Sequence, residues 1–122
     1  MVESGPYYSV VTRAAQILAG LLEDPDLTGE VRDWISNGLS NLRMMRSLLD
    51  DMVMMSVSEQ MLAYQFDLWP TLSVALACCD GLLEGLVDSP PLTTGQREQI
   101  GLVRDSLTDM ASAIRGDSAE GR

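Results

Sequence analysis

Residues 28–56, TGEVRDWISNGLSNLRMMRSLLDDMVMMS, decide the fold class. Val31, Ile35, Gly38, Leu42, Met45, Leu49, Met52 and Ser56 recur at alternating intervals of four and three residues. That spacing keeps one seam on one side of a helix, as in coiled coils and four-helix bundles. Leu39, Leu48 and Met55 widen the seam, so the helix is expected to pack on more than one neighbour. Thr28 is placed to cap the start, and Glu30 lies in the first turn, where the helix dipole favours an acid.

Working outward, three more helices follow from the same periodicity. Val10, Val11, Ala14, Ile17, Leu18, Leu21 and Leu22 predict a helix over 7–23, stopped by Asp24-Pro25-Asp26 because a residue before proline avoids helical geometry. Residues 57–66 break the pattern and read as a connector. Asp67 is placed to cap a third helix reaching about residue 87, with Pro70 tolerated in its first turn. Asp88-Ser89-Pro90-Pro91 ends that helix. The fourth begins at Thr93 or Thr94 and is marked by Ile100, Val103, Leu107, Met110 and Ile114. Residues 1–6 and 116–122 are expected to be tails, the latter disordered.

A shift of 65 positions superimposes the two helix pairs. Leu18, Gly20, Leu21, Pro25, Leu27, Thr28, Arg32, Ile35, Leu42, Met45 and Ser47 then meet identical residues. The shared Pro-x-Leu-Thr turn and the matched arginine exceed what two leucine-rich helices share by composition. The expected architecture is all-α: an antiparallel four-helix bundle built from two similar helical hairpins, 7–56 and 67–115, in one domain.

Composition supports helices and removes several functions. The chain has 122 residues, 46 % hydrophobic but only 5 % aromatic, so its core is aliphatic and rich in methionine. Its net charge is −10, every cation is arginine, and histidine is absent. Nucleic-acid affinity rests on cations neutralising phosphates, so no nucleic-acid partner is expected. Anionic membranes are disfavoured likewise, and no uninterrupted apolar run reaches the roughly 18 residues of a membrane span. The first residues, MVESGPYY, lack the features of a signal peptide, which gives a cytoplasmic expectation.

Candidate chemistry is sparse. Asp24, Asp26, Thr28 and Gly29 open like a calcium loop, but the position for its bidentate glutamate is Ile35. A helix stop followed by a cap explains them better. Adjacent Cys78 and Cys79 point about 100° apart on a helix, suiting neither a disulfide nor a metal cage, and are expected to be small buried groups. Without His or Lys, and with no serine in a Gly-x-Ser-x-Gly elbow, nucleophilic catalysis has no base. Asp50/Asp51 and Glu23/Asp24 are expected on solvated faces, and Arg46 is spaced to pair with Asp50. No catalytic residue, cofactor or metal is assigned, and the chain is not expected to be an enzyme.

Residues 21–51, LLEDPDLTGEVRDWISNGLSNLRMMRSLLDD, resemble the dimerisation and histidine-phosphotransfer hairpin of sensor histidine kinases. The following SVSEQMLAYQFDLWPTL looks like the connector into their ATP-binding domain. Where the family places its phosphoacceptor histidine, this chain has Gly5, Pro6, Tyr7, Tyr8, Ser9 and Val10, and the second hairpin has Pro70. No glycine-rich nucleotide loop follows. The resemblance implies a docking platform for receiver domains or a kinase, turned from relay to scaffold, decoy or inhibitor.

The methionines mark where such docking would fall. Met44, Met45, Met52, Met54 and Met55 crowd the end of the second helix, with Met61 beyond. At 1.5 Å per residue that helix is expected to overhang the first by roughly 15 Å. Either the connector MLAYQFDLW folds back over the overhang, or an adaptable surface is left for a second copy or a partner helix. Leu48, Met52, Met54, Met55 and Met61 are the candidate partner-binding residues. The alternatives are a bare homodimerisation domain and an acidic nucleic-acid mimic, the latter prompted by the charge.

Overall fold

The computed structural model describes residues 5–25, 27, 29–84 and 92–120, with side chains from 7 to 114 within those ranges. The described chain is all-α. Its helices are α1 (Gly5–Leu21), α2 (Gly29–Met52), α3 (Val57–Ala63), α4 (Trp69–Leu83) and α5 (Thr94–Glu120). A π-helical segment, Tyr64–Leu68, joins α3 to α4 without a break, so Val57–Leu83 is one continuous helix. Among the described residues there is no strand.

The seam of α2 lies in the core. Val31, Ile35, Gly38, Leu42, Met45, Leu49 and Met52 are all buried, as are Leu39 and, from α1, Val11, Ala14, Leu18 and Leu21. On α5 the expected Ile100, Val103, Leu107, Met110 and Ile114 are buried too. Each long helix packs on two others: α2 on α1 and α4, and α5 on the other sides of α1 and α4.

The start of α5 meets the turn that follows α1. Thr93 and Gln96 form a capping box at the start of α5: Gln96 N donates to Thr93 Oγ1 at 3.1 Å, and Thr93 N donates to Gln96 Oε1 at 3.0 Å. The Gln96 amide then donates to Asp24 Oδ2 in the first turn at 2.8 Å. Arg32 donates twice to Leu22 O, both at 2.9 Å, and its repeat mate Arg97 donates to Leu83 O at 2.8 Å. Each matched arginine thus closes the carbonyl end of the helix before it. At the start of α2, Gly29 has φ 62°, in the left-handed region where a Cβ crowds the carbonyl. Thr28, the expected cap, and the Asp88-Ser89-Pro90-Pro91 stop lie outside the described residues.

Several boundaries differ from the periodicity. Residues 57–66 are helical and not an open connector. Ser56, expected at the end of the α2 seam, caps α3, accepting from Glu59 N at 3.2 Å and donating to Glu59 Oε1 at 3.1 Å. Asp67 therefore caps nothing and lies inside the π segment. The broken periodicity has a physical cause. Gln60, Tyr64, Leu68 and Leu72 are all buried at intervals of four. In an ordinary α-helix those 12 residues would overshoot whole turns by about a third of a turn. The wider π segment takes up that excess and keeps the four on one face. Helix α1 starts at Gly5, within the expected tail; α4 ends at Leu83; and α5 continues past Ile114 to Glu120, into the stretch expected to be disordered.

The continuous helix bears on membranes only through its length and composition. Val57–Leu83 is long and apolar enough, by length and composition, to cross a membrane, with 44 % of its most apolar stretch buried inside the protein.

Candidate interaction surface

The end of α2 is covered from one side only. With 24 residues against 17, α2 exceeds α1 by seven, an overhang of about 10 Å and shorter than the roughly 15 Å expected. The helix from Val57 turns back over it. Gln60 Nε2 donates to Met52 O at 2.9 Å, a carbonyl that also accepts from Met55 N at 3.1 Å, and to Met55 O in the turn at 3.2 Å, so its amide pins the end of α2 to the turn. Tyr64 meets Tyr7 edge to face with ring centroids 6.2 Å apart, tying α1 to the π segment. Met52 is thereby buried and offers nothing to a partner. Leu48, Met55 and Met61 are half-buried, while Met54 is 89 % exposed. Of the five expected contact residues, Met54 alone stands fully in solvent.

The larger apolar surface lies elsewhere. On Val57–Leu83, Leu62, Phe66, Pro70, Val74 and Ala77 are all exposed, Phe66 at 64 %. Their spacing of four, four, four and three places them on the side opposite the buried Gln60, Tyr64, Leu68, Leu72, Ala75 and Cys79. Exposed Val53, Met54 and Val57 form an apolar corner at the turn where this helix begins. Exposed Met44 of α2 lies alongside, with Thr71 Oγ1 3.9 Å from its Sδ. The connector expected over 57–66 has no such face, although Leu62, Phe66, Pro70 and Val74 stand four apart in the sequence.

Beside that row, and sharing Ala77 with it, an open groove of about 380 Å³ runs between α4 and α5, with Trp69, Ser73 and Ala111 also among its walls. Asp80 and Arg104 bridge the two helices at 2.6 Å. Both are about half exposed, so the pair contributes at most about 1 kcal/mol. At the α2 contact, Gly81 lies directly under the Trp34 ring, leaving no room for a Cβ.

The groups that could have carried chemistry are paired elsewhere, exposed or buried as neutral thiols. Arg46 does not pair with Asp50: its Nε donates to Tyr8 Oη at 2.9 Å, with the guanidinium 5.3 Å from the ring centroid. Asp50, Asp51 and Glu23 are exposed. Cys78 and Cys79 are buried free thiols, as expected. Burial pushes the Cys79 thiol from 9.0 up to about 12, with Cys78 and Asp80 adding to the shift and Arg104 opposing it. Cys78 is also raised, chiefly by burial and against a hydrogen bond from Asn37. Both are held as thiols, the unreactive form. Among the described residues no cluster of three or more His, Cys, Asp or Glu is placed to hold a metal, and Ile35, at the end of the calcium-like loop, is in the core.

No family model, no curated protein and no solved structure matches the chain.

Proposed function

We propose that the chain is a non-catalytic protein-interaction module, an antiparallel four-helix bundle built from two similar hairpins. Its setting is cytoplasmic, and its role is that of a scaffold, decoy or inhibitor in bacterial two-component signalling. The bundle reading is supported by the ring of contacts α1–α2–α4–α5–α1 and by the Gln96–Asp24 bond joining the start of α5 to the turn after α1. The signalling setting rests on the kinase-like hairpin alone. A non-catalytic role is supported by the lack of His and Lys and by cysteines held as thiols.

One observation carries the interaction reading: Val53, Met54 and Val57 are exposed apolar residues at the start of the helix that carries exposed Leu62 and Phe66. Several large apolar side chains exposed along one end and one helix are more than a scatter of single residues, and such surfaces are normally covered or used. Capture from a lysate of the source organism tests the reading, comparing the chain with a Val53→Asp/Met54→Asp variant. A receiver domain or kinase retained by the first and lost by the second is the expected result. Retention of nothing removes the interaction reading, and retention of nucleases or polymerases replaces it with nucleic-acid mimicry.

A further inference from the structure

We propose that the outer stripe of Val57–Leu83 is a docking site for a basic amphipathic helix of another protein. The proposal rests on the interaction-module reading and names the occupant and its seat.

Shape comes first. From Leu62 to Ala77 the stripe runs along one helix for 15 residues, about 22 Å, the length of four helical turns. A partner helix with apolar residues three and four apart presents a matching row. Exposed Met44 beside Thr71 gives one flank a flexible, polarizable wall suited to varied side chains.

Charge selects among occupants. From Ser47 to Gln96 the sequence contains no cation. Within that span Asp50, Asp51, Glu59, Asp67 and Glu84 are exposed. Glu59 and Asp67 sit three residues before Leu62 and Pro70, so on the helix they flank the stripe. The nearest preceding arginine, Arg46, is turned to Tyr8 on α1. An apolar row with an acidic border and no cation on its own helix complements apolar residues bordered by Lys or Arg. A second copy docked about a two-fold axis would set these acids against themselves. An anionic bilayer would meet the same repulsion.

The probe is a synthetic Leu/Lys amphipathic helix of about 18 residues. Its controls are a scrambled peptide of identical composition and a Leu/Glu counterpart. Each is titrated against the full chain by calorimetry, with sedimentation to fix stoichiometry. One-to-one binding of the Leu/Lys helix, about tenfold tighter than either control, is expected. Phe66→Asp and the uncharged Phe66→Ser should each weaken it by about tenfold, because aromatic anchors dominate such contacts. Gln16→Asp adds the same charge to the exposed face of α1 and should leave it unchanged. Circular dichroism verifies that each variant is folded.

The proposal is overturned if the scrambled or Leu/Glu peptide binds as well, if Phe66→Ser has no effect, or if nothing binds. It is likewise overturned if the chain self-associates and Phe66→Asp restores the monomer. Binding to phosphatidylcholine/phosphatidylglycerol vesicles in place of the peptide also overturns it. A lysate partner lost on Val53→Asp/Met54→Asp, together with no peptide binding, leaves the interaction reading standing and removes only the helix-docking site.

Discussion

Helix α2 and the continuous helix Val57–Leu83 lie side by side, have similar lengths and bury comparable inner faces, yet their outer faces differ. That of α2 carries Glu30, Asp33, Ser36, Ser40, Arg43, Ser47 and Asp51, all exposed and polar. That of Val57–Leu83 carries Leu62, Phe66, Pro70, Val74 and Ala77. A helix that only supports the core needs one apolar face, as α2 has. A second, exposed apolar face adds nothing to the monomer's stability, so the difference separates a supporting helix from one available for binding.

The sharpest way to break this comparison is to truncate both faces of the same helix. Leu72→Ala, at a site with no exposure, should cost about 3 kcal/mol in urea unfolding, through lost burial and the cavity left behind. Phe66→Ala on the opposite face should stay within about 0.5 kcal/mol. Equal losses would mean that the outer stripe is structural. A Cβ at Gly81 strikes the rigid Trp34 ring, so Gly81→Ala should destabilise by about 2 kcal/mol and shift the Trp34 fluorescence.

Smaller effects sharpen the picture at the turns. Ser56→Ala removes the cap that starts the long helix and should cost about 1 kcal/mol, with faster amide exchange at Glu59. Gly29→Ala places a Cβ at φ 62° and should cost a similar amount, about 1 kcal/mol.

The buried thiols give a pH signature of the inner face. In the folded chain Cys79 holds its proton up to about 12, whereas the unfolded thiol releases it near 9.0. Between those values the unfolded state binds fewer protons, so the stability due to Cys79 is complete below pH 9 and falls as pH rises toward 12. Cys79→Ala should flatten that decline in urea midpoints measured across the alkaline range.

Much of the core was legible because α2 and α5 follow one unbroken period. Seven of the eight seam positions from Val31 to Ser56 are buried, the exception being Ser56 itself. The helix over residues 57–66 is not legible from periodicity because a π segment abolishes the three–four alternation: Gln60, Tyr64, Leu68 and Leu72 stand four apart. A local signal was present in Ser56-Val57-Ser58-Glu59, which has the Ser-x-x-Glu form of a capping box. Recognising it would have started the helix at Val57 and exposed the Leu62–Phe66–Pro70–Val74 row. Of the expected contact residues, Met54 stands in solvent because it lies in the turn. Met52 is hidden because Gln60 and Tyr64 close over the end of α2, a tertiary effect that spacing alone does not encode.

The most direct test of the central claim is backbone NMR of the full chain titrated with the Leu/Lys helix. The account predicts that the largest shift changes map to Met44, Leu62, Phe66, Val74 and Ala77, with α1 and the outer face of α5 unmoved. Changes centred on α1 or α5, or spread evenly over every acidic residue, would contradict it.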